Sequence, residues 1–194
     1  MYTLLLDSSN TYLTVGLEKD HSLVDFVNYE CWQAQSEHMI PEIDKLLNKY
    51  HVSRNQIKAV VVGIGPGSYT GVRIAVSIAK IMSLALSIPI YPVSSLRILK
   101  DNDKKSICLI NARSGRSYFA TYYGHEVLIS DTIKTNDEVL QFIEEHKDYS
   151  VCGDVKYLKL KTVDHNICQQ MVDLIDVIEP LTDTIGLKPV YMKD

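Results

Sequence analysis

An apolar, β-branched segment that leads straight into a glycine-rich loop and then a helical pattern constrains this chain most. The segment Ile57–Ile64 predicts a strand buried on both faces, because it lacks the polar alternation of a half-exposed strand. The loop that follows has Gly65, Gly67 and Gly71, which allow close backbone approaches that a Cβ would block. Apolar residues then continue at helical spacing over 71–86. The pattern indicates the strand–loop–helix unit of an α/β protein.

Two interpretations of this loop stay open. Glycine-rich loops can direct amide groups and a helix N-terminus at an anion, so Gly65, Gly67 and Ser68 are candidate nucleotide-proximal residues, together with Asp7 at the end of the first strand. The loop matches neither GxxxxGK[ST] nor GxGxxG, since Thr70 stands where the third glycine would be. We therefore favour a structural turn, with Thr70 capping the helix.

The chain repeats one order of elements. The order β-β-β-α-β-α-β fills the first part and restarts in shorter form after a polar segment at 100–105. This order is that of the actin/sugar-kinase/Hsp70-like fold. We predict two α/β subdomains, 1–102 and 103–194, with the C-terminal one reduced. The predicted strands are 2–6, 12–17, 23–29, 57–64, 88–93, 107–110, 117–123, 126–130 and 149–152, and the predicted helices are 36–50 (N-cap Ser36), 71–86 and 135–146.

Composition excludes several classes of protein. A chain of 194 residues with 46% hydrophobic residues is typical of a globular protein. Its net charge of −4 argues against a protein that binds nucleic acid without the help of another subunit. The first residues lack the charged segment followed by an apolar one that is typical of a signal peptide. The most apolar helix is interrupted by Arg73 and Lys80, which argues against a membrane span. We expect a cytoplasmic protein with no membrane segment. The four cysteines form no CxxC pair and are expected to be reduced.

The spacing of the histidines argues against a metal enzyme. No two of the six histidines lie three or four residues apart, so HExxH and HxxxH motifs are both absent. Ser68 has no G-x-S-x-G context either. We predict no catalytic residue and no metal ligand, and a metalloprotease is disfavoured.

Two helices are too apolar for one sheet to cover. Apolar residues fill most of the circumference of helix 71–86, and helix 36–50 has an apolar stripe. Either an internal core or a partner covers these surfaces. Under the partner interpretation the isolated chain forms a homodimer. The residues predicted for that interface are His38, Met39, Ile43, Leu46, Leu47, Tyr50, Val72, Ala75, Val76, Ala79 and Met82.

The glycine loop and four further segments resemble one known family. Gly65–Ala75 closely resembles the signature of the bacterial TsaB (YeaZ) family, and the first hundred residues match well. The other similar segments are Leu6–Ser9, Ser36–His38, Asn111–Tyr118 and Pro189–Met192. Asn111 stands where the family usually has an aspartate.

The resemblance implies a function as well as a fold. The family is a non-catalytic partner in making threonylcarbamoyladenosine on tRNA. It pairs two helices with two from its catalytic relative TsaD, works with the ATPase TsaE, and meets tRNA only through the complex. No tightly bound cofactor is expected, and weak binding of ATP or ADP stays open. The alternative is a small phosphotransferase that uses Asp7 and the glycine loop around ATP-Mg²⁺.

Overall fold

The first sheet has five strands and is built from the first half of the chain. In the computed structural model, which describes residues 1–163 and 165–192, its order is β3-β2-β1-β4-β5. The first three strands form an antiparallel meander, and β4 lies parallel to both β1 and β5. The predicted order of elements is confirmed here. The strands are β1 (Tyr2–Asp7), β2 (Tyr12–Lys19), β3 (Ser22–Glu30), β4 (Ile57–Gly63) and β5 (Ile90–Val93).

Helices cover both faces of this sheet. The helices α1 (Gln35–Lys49) and α2 (Tyr69–Leu86) share one core with Leu4 and Leu6 of β1. Side chains alternate along a strand, so Leu5 points to the other face. There it packs against a short helix from the end of the chain, α4 (Ile167–Leu174). The sheet is therefore buried on both sides, as the β-branched sequence of β4 predicts.

The second sheet repeats the meander and has four strands in the order β8-β7-β6-β9. Its helix, α3 (Asn136–Glu145), packs on one face through Val139. The repeat of a three-strand meander, a helix and a parallel strand confirms the α/β fold of two actin-like units with a reduced second one. The strands are β6 (Ser106–Arg113), β7 (Arg116–Tyr123), β8 (Glu126–Thr135) and β9 (Ser150–Gly153).

Two predicted helix caps are wrong. α1 begins at Gln35, and its N-cap is Ala34, which makes no side-chain capping bond, so Ser36 lies inside the helix. α2 begins at Tyr69, and the Ser68 hydroxyl accepts a hydrogen bond from the Gly71 amide at 3.3 Å. Thr70 is already inside the first turn. Ser68 rather than Thr70 therefore supplies the capping oxygen.

The end of the chain returns to the first sheet. We name residues 181–191 the C-terminal strap. Leu181 and Ile90 exchange two backbone hydrogen bonds of 2.7 and 3.0 Å, and Leu187 packs in the core below α1 and α2. The Val190 amide then donates to the Ile64 carbonyl at 2.7 Å. The proposed division at residue 102/103 separates the two sheets, but α4 and the strap cross it.

Candidate functional site

The glycine loop lies directly on the turn that follows β1. The Ser68 amide donates to the Ser9 carbonyl at 2.6 Å, and the Ser8 hydroxyl donates to the Gly71 carbonyl at 2.7 Å. A Cβ on Gly67 would lie 2.2 Å from the Ser9 carbonyl oxygen, and one on Gly71 would lie 1.9 Å from that of Ser8. The glycines at these two positions are what lets the two backbones touch.

Several amide groups in and after this loop have partners within the chain. The Gly65 amide donates to the Ser95 hydroxyl at 3.0 Å, and the Gly71 amide donates to the Ser68 hydroxyl at 3.3 Å. The Val72 amide bonds to the Ser68 carbonyl as the first bond of α2. A phosphate would have to displace these partners. The contacts favour a structural turn, and nucleotide binding at Gly65, Gly67 and Ser68 stays a prediction.

Asp7 is enclosed by the same turn. Its side chain accepts hydrogen bonds from the Ser9 amide and hydroxyl and from the Ser95 hydroxyl, at 2.9 to 3.2 Å. Burial raises the pKa of Asp7 to about 6, even though these hydrogen bonds act to lower it. A carboxylate held in this way is poorly placed to hold a solvated Mg²⁺, which weakens the phosphotransferase alternative.

The predicted interface residues lie mostly on the wrong side of their helices. Eight of the eleven are buried in the core between the sheet and the helix pair, at 7% exposure or less, so their side chains are not on the surface of this chain. The prediction assigned the inward face of each helix to an interface. The eight buried residues are Met39, Ile43, Leu46, Leu47, Val72, Ala75, Val76 and Ala79.

The other three predicted residues lie nearer the surface. His38 is exposed, and its ring stands edge-on to Tyr29 with 6.4 Å between the centroids. The Tyr50 hydroxyl donates to an Asp25 carboxylate oxygen at 3.0 Å. Met82 is half-buried at the edge of the core. These three remain candidate contacts.

A different set of side chains forms an apolar surface on the two helices. We name Ile40, Tyr69, Ile81 and Leu84 the helix-pair face; all four are exposed, Ile81 by 66% and Leu84 by 60%. A groove of about 510 Å³ runs between α1 and α2 and is lined by the apolar side chains of Ile40, Ile74 and Ile78 together with polar ones that include Arg73 and Ser77. Ile40 and Tyr69 line this groove, and Leu84 lines a second depression at the C-terminal end of α2. Large apolar side chains grouped on one surface are typical of an interaction site.

The composition of α2 makes this exposure unusual. The helix has 18 residues and a mean hydropathy of 1.4, and only 33% of it is buried. By length and composition alone it passes as a membrane span, which is weak evidence, since core helices of soluble proteins pass the same test. One face of α2 is packed on the sheet. Its outward apolar face is the strongest functional signal in the structure.

A second cavity lies between the two sheets. It has a volume of about 380 Å³, and Tyr12, Glu30 and Asp154 are among its lining residues. Burial raises the pKa of Asp154. Two of its lining residues, Lys156 and Glu30, form an ion pair at 3.8 Å. Asp7 and the glycine loop do not line this cavity.

The described residues hold no clustered metal ligands. Across 1–163 and 165–192, no group of three or more histidine, cysteine, aspartate or glutamate side chains is close enough to bind one ion. The absence of a tightly bound metal stays a prediction for the purified protein. Asn111, where the resembling family has an aspartate, accepts a hydrogen bond from the Arg113 amide at 2.8 Å and shapes the β6–β7 turn.

Comparison with known families decides the membership of this chain. The family described as TsaD, tRNA N6-adenosine threonylcarbamoyltransferase, matches residues 29–169, which is more than half of the sequence. The chain belongs to this family. Within it, the chain is similar to proteins named TsaB, as the sequence resemblance predicts.

The similarity to known TsaB proteins covers most of this chain but a smaller share of those proteins. The chain is 32% identical over 145 residues to the tRNA threonylcarbamoyladenosine biosynthesis protein TsaB of Bacillus subtilis, covering 72% of this chain and 63% of that one. It is 29% identical to TsaB of Escherichia coli, covering 65% of this chain and 57% of that one. The matched part thus spans less than two thirds of these relatives.

A solved structure shows the same fold along nearly the whole chain. YeaZ from Pseudomonas aeruginosa superposes with a TM-score of 0.78 and covers 98% of this chain and 99% of its own. The sequences are only 19% identical, so this likeness concerns the fold alone.

Sequence reasoning missed the helix-pair face, although a signal for it exists. The buried side of α2 carries Val72, Ala75, Val76 and Ala79, whereas the outward side carries the larger Ile81 and Leu84. Small side chains let the helix lie close to the sheet, and the long ones are left outside. In a helix that is apolar around most of its circumference, the stripe of small residues therefore marks the internal face.

Proposed function

We propose that this chain takes part in the biosynthesis of N6-threonylcarbamoyladenosine in tRNA as a non-catalytic subunit. In this proposal it binds a TsaD-type catalytic chain and supports it together with the ATPase TsaE. The chain contacts tRNA only through the complex. The proposal rests on the family membership and on the names of the TsaB relatives.

The observation that carries the proposal is the exposed helix-pair face. Each large apolar side chain that moves from water into an interface contributes about 1.5–3 kcal/mol, so four of them supply a substantial driving force for association. The family match covers both α1 and α2. A partner of the same family therefore brings a comparable helix pair, and two such pairs pack as a four-helix contact. Without that partner, a second copy of this chain covers the face and gives a homodimer.

Reconstitution of the modification tests this function. Purified TsaD-type and TsaE-type chains from the same organism are incubated with tRNA, threonine, bicarbonate, ATP and the enzyme that makes the threonylcarbamoyl-adenylate. Modified adenosine is measured by mass spectrometry with and without this chain. We expect modification to need both this chain and the TsaD-type chain, and this chain without the TsaD-type chain to give none.

A matched pair of variants ties the activity to the helix-pair face. Ile81→Glu places a charge on the exposed side of α2, whereas Val127→Glu places one on β8 at a site that is 45% exposed. We expect Ile81→Glu to abolish both modification and co-purification with the TsaD-type chain, and Val127→Glu to leave both intact. Normal modification by the Ile81→Glu protein would contradict the proposal, as would modification in the absence of the TsaD-type chain.

A further inference from the structure

The C-terminal strap follows α2 from its C-terminal end back to its N-terminal end. The Thr184 and Ser83 hydroxyl oxygens lie 3.3 Å apart near the end of the helix. One turn earlier, the Lys80 ammonium donates to the carbonyls of Ile185 and Leu187, at 2.8 and 3.2 Å. The only basic side chain in the middle of α2 is thus used to hold the strap.

At the C-terminal end of α2 the strap extends the apolar surface of the helix. Ile185 is 73% exposed, although the segment around it is fixed by Lys80. Ile185 and Leu84 line the same surface depression, whose volume is about 340 Å³. An apolar side chain held in the open beside the helix-pair face enlarges that face.

At the N-terminal end the strap reaches the face again. The Tyr191 ring stacks on the Tyr69 ring, with 4.8 Å between centroids and 28° between the planes. Tyr69 is also held by Arg73, whose guanidinium donates to the Tyr69 hydroxyl at 2.7 Å. Tyr69 in turn lines the groove between α1 and α2. The strap therefore borders the helix-pair face at both ends.

From this arrangement we propose that the C-terminal strap is part of the partner-binding surface, and that Ile185 and Tyr191 contact the TsaD-type chain alongside Ile81 and Leu84. This inference rests on the proposed function. The occupant is a TsaD-type chain because a member of the same family carries the helix pair that fits against α1 and α2. The family match ends at residue 169, before the strap begins. The strap thus lies outside the part of the chain that the family match covers.

Variants of the two strap residues test the inference. Ile185→Glu and Tyr191→Ala are compared with Ile81→Glu, which alters α2, and with Val127→Glu, which alters the second sheet. The full-length proteins are titrated against the purified TsaD-type chain by isothermal calorimetry, and their melting temperatures and self-association are measured in parallel. Ile185 is 73% exposed, so Ile185→Glu is expected to melt like the wild type. Tyr191 is 41% exposed, so Tyr191→Ala is expected to lose only the stacking contact with Tyr69 and to stay folded.

The expected result is graded. Ile185→Glu and Tyr191→Ala weaken binding of the TsaD-type chain by about tenfold or more, Ile81→Glu abolishes it, and Val127→Glu leaves it unchanged. Wild-type affinity of both strap variants, with loss only for Ile81→Glu, would overturn the role of the strap and leave the proposed function standing. Loss of self-association alone would show that the strap serves the homodimer and would overturn the inference. Wild-type affinity of the Ile81→Glu protein as well would overturn the proposed function too.

Discussion

The two sheets of this chain are built from the same order of elements but leave very different surfaces. In the first unit, α1 and α2 expose the four large apolar side chains of the helix-pair face. In the second unit, α3 has acidic residues in its first turn, a capping box at Thr135, and only Leu140 as a large exposed apolar side chain, at 39%. α3 therefore has the surface of an ordinary amphipathic helix, whereas α1 and α2 leave large apolar side chains uncovered. The difference favours the first unit as the site of partner binding.

The turns after the first strand of each unit differ in a similar way. Asp7 at the end of β1 accepts a hydrogen bond from the amide two residues later, Ser9. Asn111 near the end of β6 accepts the corresponding bond from Arg113. The first turn is buried under the glycine loop, while the Arg113 side chain beside the second is exposed. The same local hydrogen bond therefore occurs in a buried turn packed under the glycine loop in one unit and in a surface hairpin in the other.

The largest expected effect comes from placing a side chain in the buried contact between the glycine loop and the turn after β1. Gly67→Val puts a Cβ 2.2 Å from the Ser9 carbonyl oxygen, which is backbone and cannot move aside easily. We expect a loss of at least about 3 kcal/mol in the free energy of unfolding, together with loss of partner binding. Urea denaturation followed by circular dichroism measures the first effect.

A glycine of the second unit supplies the control. Gly124 in the β7–β8 turn has a φ of +54°, but a Cβ there meets nothing within 4 Å. Gly124→Val should therefore cost only the strain of a left-handed residue, about 1–2 kcal/mol. If Gly67→Val instead unfolded at the same urea concentration as the wild type while a nucleotide no longer raised its melting temperature, the loop would be a phosphate site.

A smaller effect is expected from the carboxyl group of the buried turn. The pKa of Asp7 in the folded chain, about 6, lies above its ordinary value of 3.8, so the folded state binds the proton more tightly than the unfolded state. Stability from this group is thus fully present below pH 3.8 and is lost as the pH rises through 6. Its size is about 3 kcal/mol between those limits.

Asp7→Asn makes the first turn chemically like the second and isolates this contribution. Measured by urea denaturation, the wild type should lose stability relative to Asp7→Asn as the pH is raised from 4.5 to 7.5. Parallel pH profiles of the two proteins would show that Asp7 is not a buried acid with a raised pKa. Asn111→Asp, at the more exposed turn, should change the profile little.

The smallest expected effect concerns the start of α2. Ser68→Ala removes the hydroxyl that accepts the Gly71 amide and should cost about 1 kcal/mol, as Thr135→Ala should at the start of α3. Thr70→Ala, an exposed change inside the first turn, should be nearly neutral. A larger loss in the free energy of unfolding for Thr70→Ala than for Ser68→Ala would show that Thr70 caps α2, as the sequence predicts.

The strands and the first three helices were predictable because their signals are local. Alternation in β2, the β-branched run of β4 and the apolar stripe of α1 each follow from side chains a few residues apart. The order of these elements then limits the topology to few choices. α4 was not predicted, since an eight-residue helix has too few turns for a clear period, and its partners Leu5 and Val61 are distant in sequence.

The candidate site was only partly predictable for a related reason. Excess apolar surface on α2 was evident from composition, but which side of the helix meets the sheet depends on packing. Ala75 and Ala79 allow close approach to any neighbour, and in this chain the neighbour is the sheet. The strap gave no periodic signal at all, because its bonds to Ile64, Lys80 and Ile90 run mainly through its own backbone.

The return of the chain end to the first sheet also bears on synthesis. β1, β4 and α2 emerge from the ribosome long before α4 and Leu187, which complete the two cores beside them. The first unit therefore carries uncovered apolar surface on both sides of its sheet until α4 and the strap have been synthesised. Exposed apolar surface of this kind makes a nascent chain prone to aggregation during that interval.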